Sequence, residues 1–230
     1  MDDEILSIVS SLKKSFVEIS NKISNTNPIH QSKIVSTNSS NDDVKKLDIF
    51  ANDVIIHNLK QNSFISIISS EENEKIIENN SKGKYFVSFD PLDGSSNIDS
   101  NITTGTIFGI YLKDNIRNKT LGDSIVAAGY CLYGGTTELV FTYNNNNSIL
   151  HYFLDETKTF IKTDDIITPK HGKYYSINEA NKYKWNDTKF NELIEFFIKK
   201  NYSQRYVGSL VADAHRTLIK GGFFSYPLDN

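Results

Sequence analysis

At 230 residues with 38% hydrophobic side chains, the chain is long enough for one large domain or two small ones and can bury a real core. Its formal net charge of −3 gives no basic field for nucleic acid, so any polyanionic ligand must be held by local groups. No apolar run approaches the roughly 18 residues that span a bilayer, and with a single cysteine, Cys131, an intrachain disulfide is excluded and a reducing compartment fits.

The opening Met-Asp-Asp-Glu lacks the positive start of a signal peptide and the Arg-rich character of a transit peptide, which makes cytoplasm the default. Residues 3–24 predict an amphipathic helix, with Ile5, Ile8, Val9, Leu12, Phe16, Ile19 and Ile23 on one face. The polar, Ser- and Asn-rich stretch from Asn25 to Asn41 predicts a mobile loop ending at Asp42. A helical pattern follows, with Leu47, Phe50, Val54 and Leu59 on one face and Asp48 on its first turns; Asp42 or Asp43 serves equally well as its N-cap.

Phe64 to Ile68 reads as a buried strand that ends in Ser69-Ser70-Glu71-Glu72. Adjacent glutamates at a strand end point to opposite faces, so one can face a metal while the other handles a proton; a solvated charged turn is the plain alternative. Next comes Tyr85-Phe-Val-Ser-Phe-Asp90-Pro-Leu-Asp93-Gly94-Ser95-Ser96-Asn97-Ile-Asp99, an apolar strand running straight into two carboxylates and a small-residue turn. Carboxylates hold a hard cation, and the turn can offer backbone N–H groups to a phosphate. That is the layout of a metal-dependent phosphatase. Strand-like runs continue at Gly105–Leu112, Ile125–Tyr133, Glu138–Tyr143 and Ile149–Leu154, with Asn144 to Asn147 as a hairpin loop. Helical patterns return at 187–200 and 208–220, so the order of elements argues for layered α/β or mixed α+β packing.

The run from Tyr85 to Asp99 resembles the signature of the fructose-1,6-bisphosphatase (class 1) family. The acidic clusters at 41–48 and 69–72, the strands at 104–111 and 126–130, and the segments at 173–179 and 204–216 are similar to the same family, in the same order. The resemblance implies an α-β-α-β-α sandwich, with the active site where its two halves meet. Residues 1–160 would form the metal- and phosphate-binding half, and 161–230 the start of the sugar-phosphate half. It implies Mg²⁺, with Mn²⁺ or Zn²⁺ as alternatives, held by Asp42, Glu71, Asp90, the Leu92 carbonyl and Asp93. Asp48 and Glu72 would be the catalytic pair that takes a proton from water. Asp93 and the amides of Gly94, Ser95 and Ser96 would hold the departing phosphate, while Asn178, Arg205, Tyr206 and Tyr226 would bind the second one.

The activity implied is gluconeogenic hydrolysis of fructose 1,6-bisphosphate in a homotetramer, Arg205 reaching into the neighbouring subunit's site. A sedoheptulose-bisphosphatase or inositol-phosphatase relative and a non-catalytic subunit are the alternatives. AMP-inhibited relatives carry a Gly-Thr-rich N-terminal segment that this chain lacks; of the AMP site only Lys84 and Tyr85 match, and Asp123 stands where an arginine is expected. Asn181 replaces a tyrosine, which weakens the second phosphate's site. Relatives continue beyond the position of Asn230 into a strand and helices that carry a glutamate ligand and a substrate-touching lysine, so the expectation is a fragment or degenerate copy without them.

Overall fold

The structure, a computed structural model, describes residues 2–25, 27, 34–37, 43–113, 124–143, 148–187 and 189–227. The chain divides into two compact units, Met1–Asp165 and Ile166–Asn230.

In the first unit, helix α1 (Asp2–Ser24) carries Asp2, Asp3 and Glu4 in its first turn and Lys22 in its last, each complementing the helix dipole. It buries the Ile5, Ile8, Leu12, Phe16 and Ile19 face that the periodicity predicts. Two short strands follow, β1 (Ile34–Thr37) and β2 (Asp43–Lys45), paired antiparallel. β1 falls where the sequence reads as a loop, the local β-preference of Ile34 and Val35 being hidden in a window dominated by Ser and Asn, and β2 falls where the sequence reads as the start of the next helix. Helix α2 (Lys46–Lys60) buries Leu47, Ala51, Ile55 and Leu59. The Asn58 amide donates to Ser15 Oγ at 3.1 Å and Asn62 to Ser11 Oγ at 3.1 Å, so polar groups buried between the two helical segments are hydrogen-bonded.

Both helices pack on a sheet of β3 (Ile65–Ser70), β4 (Ile77–Glu78), β5 (Tyr85–Asp93), β6 (Thr104–Leu112), β7 (Ile125–Tyr133), β8 (Thr137–Tyr143), β9 (Leu150–Leu154) and β10 (Phe160–Lys162). Its order is β10-β9-β8-β7-β6-β5-β3-β4. Neighbours are antiparallel apart from β3 and β5, which run parallel. Alternate residues, among them Val87, Phe89, Phe108, Ile110 and Phe141, face the helices and form one core with them; the Phe16 and Phe108 rings lie 6.1 Å apart.

The second unit is built on three parallel strands, β11 (Tyr174–Ser176), β12 (Ser203–Gln204) and β13 (Phe223–Phe224), in the order β12-β11-β13. A 3-10 helix (Glu179–Lys184) and helices α3 (Lys189–Lys199) and α4 (Leu210–Lys220) connect them. Its core is Tyr175, Ile177, Trp185, Ile194 and Phe197, with the Tyr175 and Phe197 rings stacked at 5.0 Å. Gly222 has φ of 118° and a Cβ there would collide with the Tyr174 carbonyl oxygen, so only glycine lets α4 pass into β13 so close to β11. The fold is mixed α/β with one large mixed sheet, in agreement with the class expected from the sequence.

Candidate active site

The acidic residues gather where the β3–β5 pair ends. Strand β5 pairs Asp90 with Ile107 and Asp93 with Gly105, so Pro91 and Leu92 stand opposite Thr106 alone, a β-bulge. Proline suits a bulge because it has no N–H to give to a ladder. The Leu92 N–H donates to Asp90 Oδ1 at 2.9 Å, and Thr106 Oγ1 donates to the Pro91 carbonyl at 2.9 Å. The Thr106 hydroxyl also lies 2.8 Å from that of Tyr133.

Glu71 follows the last residue of β3, and its N–H donates to the Phe89 carbonyl at 3.0 Å, extending the ladder so that Glu71 comes alongside Asp90. The Glu72 N–H donates to Ser70 Oγ at 3.2 Å. Asn52 of α2 donates to Asn73 Oδ1 at 2.8 Å, tying this turn to the helix whose first turn holds Asp48, buried at 2% exposure.

Burial above all pushes the Asp90 carboxyl up to about 8; the charges of Glu71, Asp93 and Asp48 push the same way, and only the Leu92 N–H opposes them. Three of the sequence-predicted residues, Glu71, Asp93 and Asp48, therefore act electrostatically on a fourth, Asp90. Glu71 and Asp90, with Ser69, Ser88, Gly109 and Tyr111, line an open groove of about 480 Å³ on the sheet, within the size of small-molecule sites. The donors are all oxygens, the set a hard divalent cation takes, and the mutual repulsion at Asp90 is what a cation would relieve. Among the described residues no group of three or more His, Cys, Asp or Glu side chains is already arranged to hold a metal ion; Mg²⁺ commonly takes one or two protein carboxylates and completes its shell with water and phosphate oxygens. Asp42 lies outside the described residues.

After Asp93 the chain turns through Gly94, in the left-handed region at φ 76° and ψ 17°, into a 3-10 helix at Ser95–Ser100. Gly94 tolerates this conformation because it has no Cβ. It places the amides of Gly94, Ser95 and Ser96 at a helix start, where N–H groups have no intrahelical acceptor.

The remaining predicted residues belong to the second unit and share one edge of its sheet. Asn178 lies just past β11, Arg205 and Tyr206 just past β12, and Tyr226 just past β13. These are the carboxyl ends of parallel strands, the edge at which open α/β sheets bind ligands. The Arg205 N–H donates to the Tyr175 carbonyl at 2.9 Å, and its guanidinium lies 5.7 Å from the centre of the Tyr174 ring. Asn178 Oδ1 accepts from the Ala180 N–H at 3.2 Å. Asp213 of α4, fully buried, accepts from the N–H groups of Val207 and Gly208 at 3.0 and 3.2 Å and from Arg216, while Arg216 also donates to the Arg205 carbonyl. Sequence reasoning passes over Asp213, Thr106 and Tyr133. The signal was a threonine and an aspartate at positions where the apolar pattern calls for core residues.

A family model described as "Fructose-1-6-bisphosphatase, N-terminal domain" matches residues 1–165, and one described as "Fructose-1-6-bisphosphatase, C-terminal domain" matches residues 168–230. The fructose-1,6-bisphosphatase class 1 of Chlorobium phaeovibrioides is 46% identical over 207 residues, covering 84% of this chain and 62% of the relative. That of Persephonella marina is 43% identical over 197 residues, covering 84% and 61%. The chain thus spans about three fifths of the length of these curated relatives. Among solved structures, fructose-1,6-bisphosphatase of Leishmania major in holo form superposes with a TM-score of 0.89 at 34% identity, covering 98% of this chain and 74% of that one. Its apo form gives 0.83 at 33%.

The raised carboxyl of Asp90 makes stability depend on pH. An ordinary aspartate in the unfolded chain titrates at 3.8, below the folded value of about 8, so between these pH values the folded state holds a proton that the unfolded state has lost. Its contribution to stability is full below pH 3.8 and is progressively lost as pH rises to about 8. In the presence of a chelator, melting temperature is expected to decline across this window, and Asp90→Asn to flatten the decline. Parallel melting curves against pH for the two proteins would contradict the assignment.

Proposed function

The chain belongs to the fructose-1,6-bisphosphatase family, and we propose that it hydrolyses the 1-phosphate of fructose 1,6-bisphosphate, giving fructose 6-phosphate, with Mg²⁺ as its cofactor. The observation that carries this reading is the Asp90–Asp93 bulge, where Glu71 and Asp48 act electrostatically on Asp90 and the Gly94 turn follows directly.

Phosphate monoesters are among the slowest species to hydrolyse without a catalyst, so charge on the transferring phosphoryl group must be neutralised and a nucleophile made from water. A bound divalent cation supplies that neutralisation and the acidity that makes water reactive near neutral pH. Glu71, Asp90, the Leu92 carbonyl and Asp93 would hold it, with Asp42 as a further ligand. An all-oxygen set without His or Cys favours Mg²⁺ or Mn²⁺ over Zn²⁺. Asp48 and Glu72 take the proton from the attacking water, and the buried position of Asp48 keeps it from being screened by solvent. The amides of Gly94, Ser95 and Ser96 hold the departing phosphate.

The second phosphate is assigned to Asn178, Arg205, Tyr206 and Tyr226, for which the shared strand-end edge of the second unit is the support. A guanidinium can engage a phosphate through two parallel hydrogen bonds. A cytoplasmic homotetramer acting in gluconeogenesis completes the proposal, with Arg205 serving a neighbouring subunit's site.

Phosphate release from fructose 1,6-bisphosphate in Mg²⁺ tests the reading, and a panel containing sedoheptulose bisphosphate and inositol phosphates tests the substrate. Release from one of those, with none from fructose 1,6-bisphosphate, would overturn it. Asp93→Ala is expected to abolish turnover with an unchanged circular dichroism spectrum. Asp48→Asn is expected to lower kcat by about 10²–10⁴-fold, the usual effect of removing a general base, with little change in KM; a changed KM at constant kcat would make Asp48 a binding residue instead. AMP is expected to be a poor inhibitor. Lys84 and Tyr85, the residues that match the AMP site of regulated relatives, both donate to Glu4, at 2.6 and 2.9 Å. Inhibition by micromolar AMP would contradict this.

A further inference from the structure

We propose that Thr106, backed by Tyr133, is a positioning residue for the cation site, setting the bulge that presents Asp90 and Asp93; the inference rests on the metal-site reading above. Thr106 is fully buried and Tyr133 is 5% exposed, among strands whose buried positions are mostly apolar. A buried hydroxyl in such a place is costly unless it is hydrogen-bonded, and here its bonds run to one point. A bulge leaves its extra residue outside the regular ladder. Thr106 stands opposite Pro91 and Leu92, and its hydroxyl takes the Pro91 carbonyl at 2.9 Å.

A hydroxyl has one proton to donate. With that proton on the Pro91 carbonyl, the 2.8 Å contact between Thr106 and Tyr133 is a bond donated by the phenol, giving a relay Tyr133 to Thr106 to Pro91. Burial keeps the phenol protonated, which the relay requires. Tyr133 is itself fixed by its place in β7, opposite Thr104 of β6. On the other side of the bulge, the Leu92 N–H is held by Asp90 Oδ1 at 2.9 Å. The peptide between Pro91 and Leu92 is therefore held from both ends, one end by an acid of the cluster and the other by Thr106. Losing the Thr106 hydroxyl frees that peptide to rotate, and with it the carboxylates of Asp90 and Asp93. Thr106 touches no substrate and would act only through the bulge.

Mn²⁺ titration followed by electron paramagnetic resonance, on the whole chain without substrate, reads the effect directly. Thr106→Val keeps the shape and removes the hydroxyl; an affinity loss of about 10-fold is expected, the lower end of what outer partners of metal ligands contribute. Thr106→Ser restores the hydroxyl and is expected to bind as wild type. Tyr133→Phe leaves the Pro91 bond in place and is expected to weaken binding less, which also provides a second variant should Thr106→Val fold poorly. Amide exchange at Leu92 in metal-free protein is expected to quicken in Thr106→Val and not in Thr106→Ser. Wild-type Mn²⁺ affinity in Thr106→Val, or a loss that serine fails to restore, overturns the proposal. A wild-type chain that binds no Mn²⁺ instead overturns the metal-site reading beneath it.

Discussion

Asp90 sits at the end of β5 with Glu71, Asp93 and Asp48 near enough for each to disfavour its charge. Glu71 is exposed, Asp90 and Asp93 are half-buried and Asp48 is buried; like charges this close repel wherever water screens them poorly, so the surrounding structure has to hold them together. The parallel ladder does part of this, carrying Glu71 alongside Asp90 through the bond from its N–H to the Phe89 carbonyl. The rest falls to α2, whose positive N-terminal end suits Asp48 and whose Leu47, Ala51, Ile55 and Leu59 are locked into the core beneath the sheet. Apolar burial on the helix side of the sheet thus sustains an electrostatic conflict at its end. Removing a core contact under α2 would loosen the acids without touching any of them.

The two units solve the same problem by similar means. In each, candidate binding groups stand at or just past the carboxyl ends of parallel strands, where the ladder is interrupted by a bulge or has ended. Backbone outside a regular ladder is less constrained, and each unit counters this with a buried polar side chain aimed at it. Thr106 holds the Pro91 carbonyl, and Asp213 holds the N–H groups of Val207 and Gly208, just after Arg205 and Tyr206. Gly208, at φ 81°, can adopt its left-handed conformation without a Cβ penalty. Buried polar groups of this kind are a poor source of stability and a good source of definite geometry. Their cost is accepted at positions where a ligand must be met by groups in fixed places.

How much of this was legible in the sequence depended on whether the relevant residues are neighbours in the chain. The acids at 90 and 93 and the turn at 94–96 form one contiguous run, so their joint chemistry could be read directly. Helix α1 was legible because its apolar period is sustained over the whole of Asp2–Ser24. Strand β1 was not, since four residues give too little periodicity to stand against a polar surrounding. The gathering of Asn178, Arg205, Tyr206 and Tyr226 on one edge follows from parallel pairing between segments far apart in the chain, which no local pattern reports; the family resemblance alone pointed to them. The bulge was hidden for a related reason. Period-2 alternation assigns Thr106 to the buried face of β6, but only the pairing register shows that it faces Pro91 and Leu92 together.

At the proposed cation site, the Asp90 carboxyl would tie proton and cation to a single group. With its titration near 8, it is largely protonated at neutral pH when no cation is bound, and a cation must displace that proton to use the carboxylate. Apparent cation affinity should then climb with pH and level off once the carboxyl is already ionised. Neither proton nor cation can be removed without cost, because stripping both leaves the Asp90 carboxylate beside the like charges of Glu71, Asp93 and Asp48. The acids that disfavour ionisation of Asp90 in the empty cluster are the ones that would bind a cation most strongly together, so repulsion in one state becomes the source of affinity in the other. The bulge has to keep its shape through that exchange. A peptide pinned by Leu92 to Asp90 alone would follow the carboxylate as it gained or lost its proton; the bond from Thr106 to Pro91 comes from a group that does not titrate, which gives the bulge an anchor independent of the charge it carries.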